Sequence, residues 1–247
     1  MGVESIVARA ERPVVLELHN VEKDYRGLRP LRIGHLQLRE GQTLALLGFD
    51  RAAAEVLINL MTGAITPDSG DVRVFGQSTR DIVDSDAWLS LLDGIGLLTD
   101  RAVLLDGLTV EQNLAMPFTL ALDSIPDTVK ARVSTLAADV DLDAAELSQP
   151  VAVTSALTQL RLRLARAIAL GPRVLLAEHP NASLSSDELP AFARVFAKLT
   201  TQRRMASVTL TADSAFAASI AERVLSVKPA TGALREIALW RRWFSRP

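Results

Sequence analysis

Residues 42–63, QTLALLGFDRAAAEVLINLMTG, contain the most informative pattern in the chain. Thr43–Leu47 is a short apolar run, typical of a strand buried on both faces of a parallel sheet. Gly48 ends this run, Asp50 suits an N-cap, and good helix formers fill residues 52–61. The stretch therefore predicts a buried strand, a tight turn and an apolar helix.

A strand, a glycine, a turn and a helix in this order form the outline of a phosphate-binding loop. Such a loop has the pattern Gly-x-x-x-x-Gly-Lys-Ser/Thr, in which the lysine reaches the phosphates and the hydroxyl binds magnesium. Aligned on Gly48, the pattern places Ala53 at the second glycine, Ala54 at the lysine and Glu55 at the hydroxyl. The outline is present, whereas the side chains that contact phosphate and metal are replaced.

Composition excludes several classes of protein. The 247 residues can bury a substantial core, and their net charge of −2 gives no indication of a nucleic-acid surface. The chain has no cysteine, which excludes a disulfide scaffold and a thiolate metal site. The first residues lack the apolar core of a signal peptide, and no apolar run approaches the ~20 residues of a membrane span. We therefore expect any membrane contact to go through a partner.

Three further segments follow the first one in a recognisable order. They are TPDSGDVRVFG at residues 66–76, LTVEQNL at residues 108–114, and LARAIALGPRVLLAEHP at residues 164–180. They resemble, respectively, the turn and strand after the first helix, the stretch after the glutamine loop, and the signature helix with its Walker B strand in ATP-binding-cassette (ABC) transporter ATPases. Order and spacing agree over roughly residues 14–235, and the chain is identified as a member of this family.

The resemblance implies an α/β fold of the P-loop NTPase type, with a parallel-sheet core, an antiparallel β edge and an inserted α-helical subdomain. We expect one ABC ATPase-like domain over residues 1–247. Its predicted parts are an α/β core (13–83 and 161–237), a helical subdomain (84–160) and a basic, aromatic tail (238–247). The 3.6-residue spacing of apolar residues predicts helices at Trp88–Leu92, Glu111–Leu122, Thr128–Val140 and Ala144–Leu147.

The resemblance also implies roles for single positions. Tyr25 matches an aromatic residue that stacks on adenine in the family; its alternative role is packing at the sheet edge. Asp100 replaces a glutamine that senses magnesium, which removes a donor and adds negative charge. Ser155 matches the signature serine, but Ala156 and Leu157 replace glycines, and their Cβ atoms block close approach of phosphate. An ordinary serine-capped helix is the alternative for Ser155, and we favour it.

The strand predicted at Val174–Ala177 leads to the remaining family positions. There the family has an aspartate that orders magnesium and a glutamate that polarises water, whereas this chain has Glu178 and His179. Glu178 is one methylene longer and could still reach a metal shell. His179 could take a proton, although a packed or solvated histidine is the favoured alternative. Ala212 replaces the histidine that contacts the γ-phosphate, so no catalytic position of the family is intact.

The resemblance therefore implies a degenerate nucleotide site. Its positions are Tyr25, Gly48, Phe49, Asp50, Arg51, Ala52, Ala53, Ala54, Glu55, Val56 and Ser155. The exchanges to Ala54 and Glu55 each make the local charge more negative by one unit. At about 5 Å and an effective dielectric of ~20, one unit charge against one phosphate charge is worth roughly 3 kcal/mol. We expect no metal site, binding of Mg-ATP that is weak if it occurs at all, and no ordinary ATP hydrolysis.

Three functions remain open. The first is a catalytically inactive subunit that scaffolds or regulates an ABC transporter, bound to a transmembrane subunit, a second cassette or both. The second is a divergent ATPase that holds nucleotide in another pose through Tyr25, Arg51 and Glu178. The third is a free-standing regulatory module. For the first function we expect a cytoplasmic protein, peripheral to the inner face of the membrane, with no nucleic-acid partner and a tail (238–247) that contacts lipid headgroups, a partner or its own core.

Overall fold

The computed structural model describes residues 12–237, so the predicted contacts of the tail (238–247) lie outside the described residues. The strands are β1 (Val14–Lys23), β2 (Leu31–Arg39), β3 (Thr43–Leu47), β4 (Ser69–Val74), β5 (Gln77–Ser78), β6 (Ile95–Leu98), β7 (Val174–Glu178), β8 (Ala206–Leu210), β9 (Arg223–Lys228) and β10 (Ala233–Glu236). The helices are α1 (Arg51–Met61), α2 (Ser85–Leu92), α3 (Val110–Ala115), α4 (Asp127–Asp139), α5 (Ala144–Leu147), α6 (Ala156–Ile168), α7 (Leu189–Gln202) and α8 (Ser214–Ile220).

The strands form two sheets. β2, β1, β4 and β5 make an antiparallel sheet in that order. The second sheet has the order β10-β9-β3-β8-β7-β6, and its strands are parallel except for the edge strand β10, which runs antiparallel to β9. The predicted fold class, a parallel-sheet core with an antiparallel β edge and added helices, is confirmed.

Apolar patterning places β3 at the centre of the parallel sheet, between β8 and β9. Its first four residues are buried and Leu47 is partly buried, as the continuous apolar run predicts for a strand covered on both faces. Helix α1 turns Leu57, Leu60 and Met61 into the same apolar cluster. The predicted strand, turn and helix of residues 42–63 are therefore confirmed, with the turn at the carboxyl edge of the sheet.

Two features differ from the sequence expectations. Residues 84–160, predicted as a helical subdomain, contain strand β6 of the parallel sheet. Its Gly96 packs so closely on the later helix α6 that an added Cβ would lie 2.4 Å from the carbonyl oxygen of Ala167. Helix α3 ends at Ala115 rather than Leu122. Met116 still has helical backbone, but Pro117 has no N–H with which to continue the helical hydrogen bonds.

Helices α3 to α6, residues 110–168, lie together beyond β6, and we call them the helical lobe. They share one apolar cluster with α7 and α8, which includes Leu114, Val133, Leu164 and Phe196. A second cluster lies between the antiparallel sheet, α1 and the parallel sheet. Within residues 12–237, no helix combines the length and apolar character needed to cross a bilayer.

Candidate functional site

The candidate site lies at the carboxyl ends of the parallel strands, where open α/β sheets bind their ligands. The connections after β3, β6, β7 and β8 meet there and line a cavity of about 460 Å³. A larger cavity of about 900 Å³ lies at the opposite, amino ends of the strands, and it contains none of the predicted site residues. The smaller cavity is therefore the candidate functional site.

Helix α1 begins at this site with one N–H of its first turn already bonded to a side chain. The Asp50 carboxylate accepts a hydrogen bond from the Ala53 N–H at 2.8 Å, so the predicted N-cap is confirmed. Gly48 has a φ of +95°, which favours glycine, and an added Cβ would lie 3.2 Å from the Val227 side chain. Phe49 is buried in the core. The turn is thus shaped by packing and closed by its own carboxylate.

The other loop positions have different surroundings. The Ala54 side chain, at the family's lysine position, is fully buried in the apolar cluster around α1. Ala53 and Val56 are partly buried against that cluster, whereas Ala52 is exposed. Only Glu55 of these positions turns a charged group towards the neighbouring segments. The helix therefore presents one carboxylate, and no cation, at the positions that the family uses for lysine and hydroxyl.

A guanidinium group joins the two carboxylates that the resemblance places near magnesium. Arg101 forms an ion pair with Glu55 and a second one with Glu178, the latter at 2.5 Å. The Glu178 side chain is only 5% exposed and also accepts a hydrogen bond from the Thr99 hydroxyl at 3.2 Å. Glu55 and Glu178 are thus brought together, as the resemblance implies, and a side-chain cation lies between them.

A second ion pair lies beside the first. Arg51, the first residue of α1, pairs with Asp100, and both side chains are largely exposed. Both residues line the cavity, as does Arg163 from the helical lobe. Burial lowers the pKa of the Arg163 guanidinium, while the carboxylates of Asp100 and Asp106 oppose that shift. The predicted positions Arg51 and Asp100 therefore contact each other.

The segment after β7 has an unusual backbone. His179 has a φ of +42°, in the left-handed region that non-glycine residues seldom adopt. Its N–H donates to the Leu210 carbonyl at 2.8 Å, while its buried Nε2 has no hydrogen-bond partner among the described residues. His179 and Ala212 both line the cavity. The imidazole is thus partly packed, and its unsatisfied nitrogen is a chemical feature of the site.

Tyr25 lies near the start of α1 rather than in the cavity lining. Its ring packs partly against the apolar cluster of the antiparallel sheet. Burial raises the pKa of its phenol, and the Asp50 carboxylate raises it further. The position thus combines sheet packing with proximity to the turn.

Ser155 caps α6 by accepting a hydrogen bond from the Thr158 N–H at 3.1 Å, so the favoured capping role is confirmed. The Thr158 hydroxyl in turn donates to Glu146 at 2.6 Å. Ser155 does not line the cavity, which α6 reaches through Leu160 and Arg163. The start of this helix is occupied by contacts within the helical lobe.

The sequence patterns do not indicate Thr99, Arg101 or Arg163 as site residues. Thr99 and Arg101 stand in the connection after β6, at the carboxyl edge of the sheet, so recognition of that strand would have pointed to them. Arg163 lies on α6, and no local pattern indicates its position at the cavity. No group of three or more His, Cys, Asp or Glu side chains suited to a metal ion occurs within residues 12–237.

Comparisons with known proteins identify the family. Residues 31–182 match the family model described as ABC transporter. The methionine import ATP-binding protein MetN 2 of Pseudomonas syringae pv. tomato is 26% identical over 201 residues, which are 80% of this chain and 59% of that protein. The Fe(3+) ions import ATP-binding protein FbpC of Serratia marcescens is 27% identical over 233 residues, which are 94% of this chain and 65% of that protein. The chain therefore spans only about three fifths of the length of these relatives.

Solved structures share the fold at low identity. Clostridium perfringens cbiO1, described as part of the ABC transporter complex cbiONQ, matches with a TM-score of 0.76 and 17% identity over 91% of this chain and 87% of cbiO1. The cassette MJ0796, solved as a dimer with ADP and Pi, matches with a TM-score of 0.72 and 22% identity over 90% of this chain and 98% of MJ0796. Since the family model covers more than half of the chain, the chain belongs to the ABC transporter family.

Proposed function

We propose that this chain is a non-catalytic cassette subunit of an ABC transporter, whose own side chains occupy the phosphate-binding and metal-binding positions. The observation that supports this proposal is the Arg101 guanidinium between Glu55 and Glu178. A guanidinium is permanently protonated and only donates hydrogen bonds, so it neutralises the two carboxylates but cannot coordinate and activate a water as a metal ion does. The chain then serves as a scaffold or regulator of the transporter and does not hydrolyse ATP itself.

The side chains present do not fit a magnesium–nucleotide complex. A metal ion at Glu55 and Glu178 would have to displace the Arg101 guanidinium, which lies 2.5 Å from the nearly buried Glu178 carboxylate. Ala54 offers no ammonium group to the phosphates, and Ala53 carries a Cβ where the loop pattern has glycine. We therefore derive no hydrolytic step for this site.

The charges of the site also oppose an anion. Four carboxylates lie around the cavity and its ion pairs, those of Asp50, Glu55, Asp100 and Glu178. The same region contains three guanidinium groups, those of Arg51, Arg101 and Arg163. Because the carboxylates outnumber the cations, a phosphate chain enters a region of net negative charge, and its binding is unfavourable.

The partner proposal rests on the relatives and on a groove. The two curated relatives are named import ATP-binding proteins, one structural neighbour is part of a transporter complex, and another is a dimeric cassette. A groove of about 350 Å³ between β6 and the helical lobe is lined by Leu89, Leu104, Leu170 and Arg166, among others. Leu89 and Leu170 are more than half exposed. We infer a transmembrane subunit or a second cassette as partner, at the cytoplasmic face of the membrane.

One observation favours a second candidate, the divergent ATPase. The cavity of about 460 Å³ is lined by the exposed Arg51 and by His179, whose buried Nε2 has no hydrogen-bond partner among the described residues. A nucleotide in another pose would use these groups.

The third candidate, a free-standing module, differs from the first in having no membrane partner. Recovery of a transmembrane protein with the tagged chain from solubilised membranes therefore separates those two candidates.

Titration calorimetry with Mg-ATP tests the proposed function. We expect no binding tighter than about millimolar, because the loop lacks the lysine, the hydroxyl and the second glycine. A functional cassette such as MJ0796, measured in the same buffer, is the positive control. A micromolar dissociation constant for Mg-ATP would contradict the non-catalytic proposal and support the divergent ATPase.

A further inference from the structure

Residues 99–103 connect β6 to the helical lobe without regular secondary structure, and we call them the strap. An irregular segment at a protein surface is ordinarily mobile, because few contacts offset its conformational entropy. In this chain, by contrast, every one of the five residues makes a polar contact through its side chain or its carbonyl group.

The first three strap residues are attached to the sheet and to α1. The Thr99 hydroxyl donates to Glu178 at the end of β7. Asp100 pairs with Arg51 of α1, and Arg101 pairs with both Glu55 of α1 and Glu178 of β7. The buried Glu178 carboxylate therefore accepts from two strap residues, which makes it the centre of this attachment.

The last two strap residues are attached to α6 in the helical lobe. Arg163 donates through Nε to the Ala102 carbonyl at 3.3 Å, and Arg166 donates to the Val103 carbonyl at 2.7 Å. Burial lowers the pKa of both guanidinium groups, which reflects their position against the protein rather than in solvent. Charged donors to carbonyl oxygens form stronger hydrogen bonds than neutral donors do.

These contacts connect two helices that pack in separate apolar clusters. Helix α1 belongs to the cluster beside the antiparallel sheet, whereas α6 belongs to the cluster that the helical lobe shares with β6 and β7 of the parallel sheet. The strap bonds to both. It also borders the partner groove, since Ala102 and Arg166 line that groove.

We propose that the strap fixes the helical lobe in one orientation relative to α1 and the antiparallel sheet, in the absence of any ligand, through ion pairs and hydrogen bonds made by this chain alone. The groove beside it is then a preformed surface whose shape does not depend on nucleotide. This inference concerns the isolated chain and stands or falls separately from the affinity for Mg-ATP.

Pulsed electron–electron double resonance tests that orientation, because it measures the distance between two spin labels on the protein. The chain has no cysteine, so Gln77→Cys in β5 and Ala145→Cys in α5 give two unique labels at exposed positions. We expect a single narrow distance distribution without nucleotide. In the released variant, R51M/R101M/E178Q, the distribution broadens or shifts, and the neutral amide introduced by E178Q avoids leaving a buried unpaired charge.

A matched control tests whether the effect belongs to the strap. Arg203, which follows α7, pairs with Asp139 of α4 at 2.5 Å, another partly exposed ion pair that reaches the helical lobe but involves no strap residue. R203M is expected to leave the distance distribution unchanged. A released variant that superposes on the unmodified chain, or an R203M variant that broadens it equally, overturns the proposal.

A second, milder variant covers the case in which the released variant does not fold. R166M removes only the contact with the Val103 carbonyl and leaves Glu178 paired. Hydrogen exchange at the amides of Ala102, bonded to the Thr99 carbonyl, and Leu105, bonded to the Asn113 side chain, then reports on the strap. We expect exchange to accelerate at least about tenfold, as for a segment that opens locally. Unchanged exchange at both amides contradicts the proposal.

Discussion

The starts of α1 and α6 are two helix N-termini to which the family resemblance assigns phosphate contacts, and each is capped by its own chain. At α1 the cap is the Asp50 carboxylate, and charged side chains surround it. At α6 the cap is the Ser155 hydroxyl, continued by the Thr158 hydroxyl to Glu146. The contacts at the start of α1 are therefore mainly ionic, whereas those at the start of α6 are hydrogen bonds that run through two hydroxyl groups to the Glu146 carboxylate.

The difference shows two physical ways of removing an anion site. Near α1 the backbone still follows the loop outline, and negative charge opposes phosphate. Near α6 the obstacle is steric, because Ala156 and Leu157 bring Cβ atoms to the helix start, and Leu157 packs partly against the core of the helical lobe. The obstacle at the first terminus is therefore mainly one of charge, with the Ala53 Cβ in addition, whereas a change at the second would also lose the core contacts of Leu157.

The largest expected effect is on the free energy of unfolding, when the ion pairs near α1 are broken. Arg101→Ala leaves the nearly buried Glu178 without its cation, and the free energy of unfolding should fall by about 3 kcal/mol, the lower end for breaking a buried ion pair, because Arg101 itself is partly exposed. Urea unfolding followed by circular dichroism measures this change.

The double variant R101A/E178Q is the control, since a neutral amide needs no cation. Much of the lost stability should return in it. If R101A and R101A/E178Q unfold at the same urea concentration as the unmodified chain, the guanidinium makes no net contribution and the ionic description of α1 is wrong.

An intermediate effect compares the two caps directly. Asp50→Ala and Ser155→Ala should each cost about 1 kcal/mol, the usual loss for a helix cap. Asp50→Asn keeps the acceptor and should cost less than Asp50→Ala. Unfolding midpoints in urea test all three variants, and a midpoint unchanged by Asp50→Ala would show that α1 needs no internal anion at its start.

The extent to which sequence predicted these regions follows from the range of the interactions. β3, α1 and the Asp50 cap were predictable because local apolar runs and an N-cap residue specify them. β6 was missed because it has four residues including Gly96, whose presence is explained only by its contact with α6. Arg101 was missed because its partner Glu178 lies 77 residues away, and no local pattern indicates that pairing.

The smallest expected effect is on nucleotide affinity when the lysine alone is restored. Ala54→Lys returns the ammonium group of the loop pattern, but Ala53 still carries a Cβ, Glu55 and Arg101 remain paired, and the altered signature at α6 is unaffected. The Ala54 side chain is also fully buried, so a lysine must leave the apolar cluster to reach any phosphate. We therefore expect calorimetry with Mg-ATP to show no gain in affinity.

The control is Ala54→Met, which is similar in length to lysine but uncharged, and therefore separates the steric cost from the effect of the charge. Urea midpoints of both variants check that they fold. A clear gain in affinity for Ala54→Lys but not Ala54→Met would show that the backbone at α1 already has the productive shape, and that charge alone distinguishes this terminus from an active one.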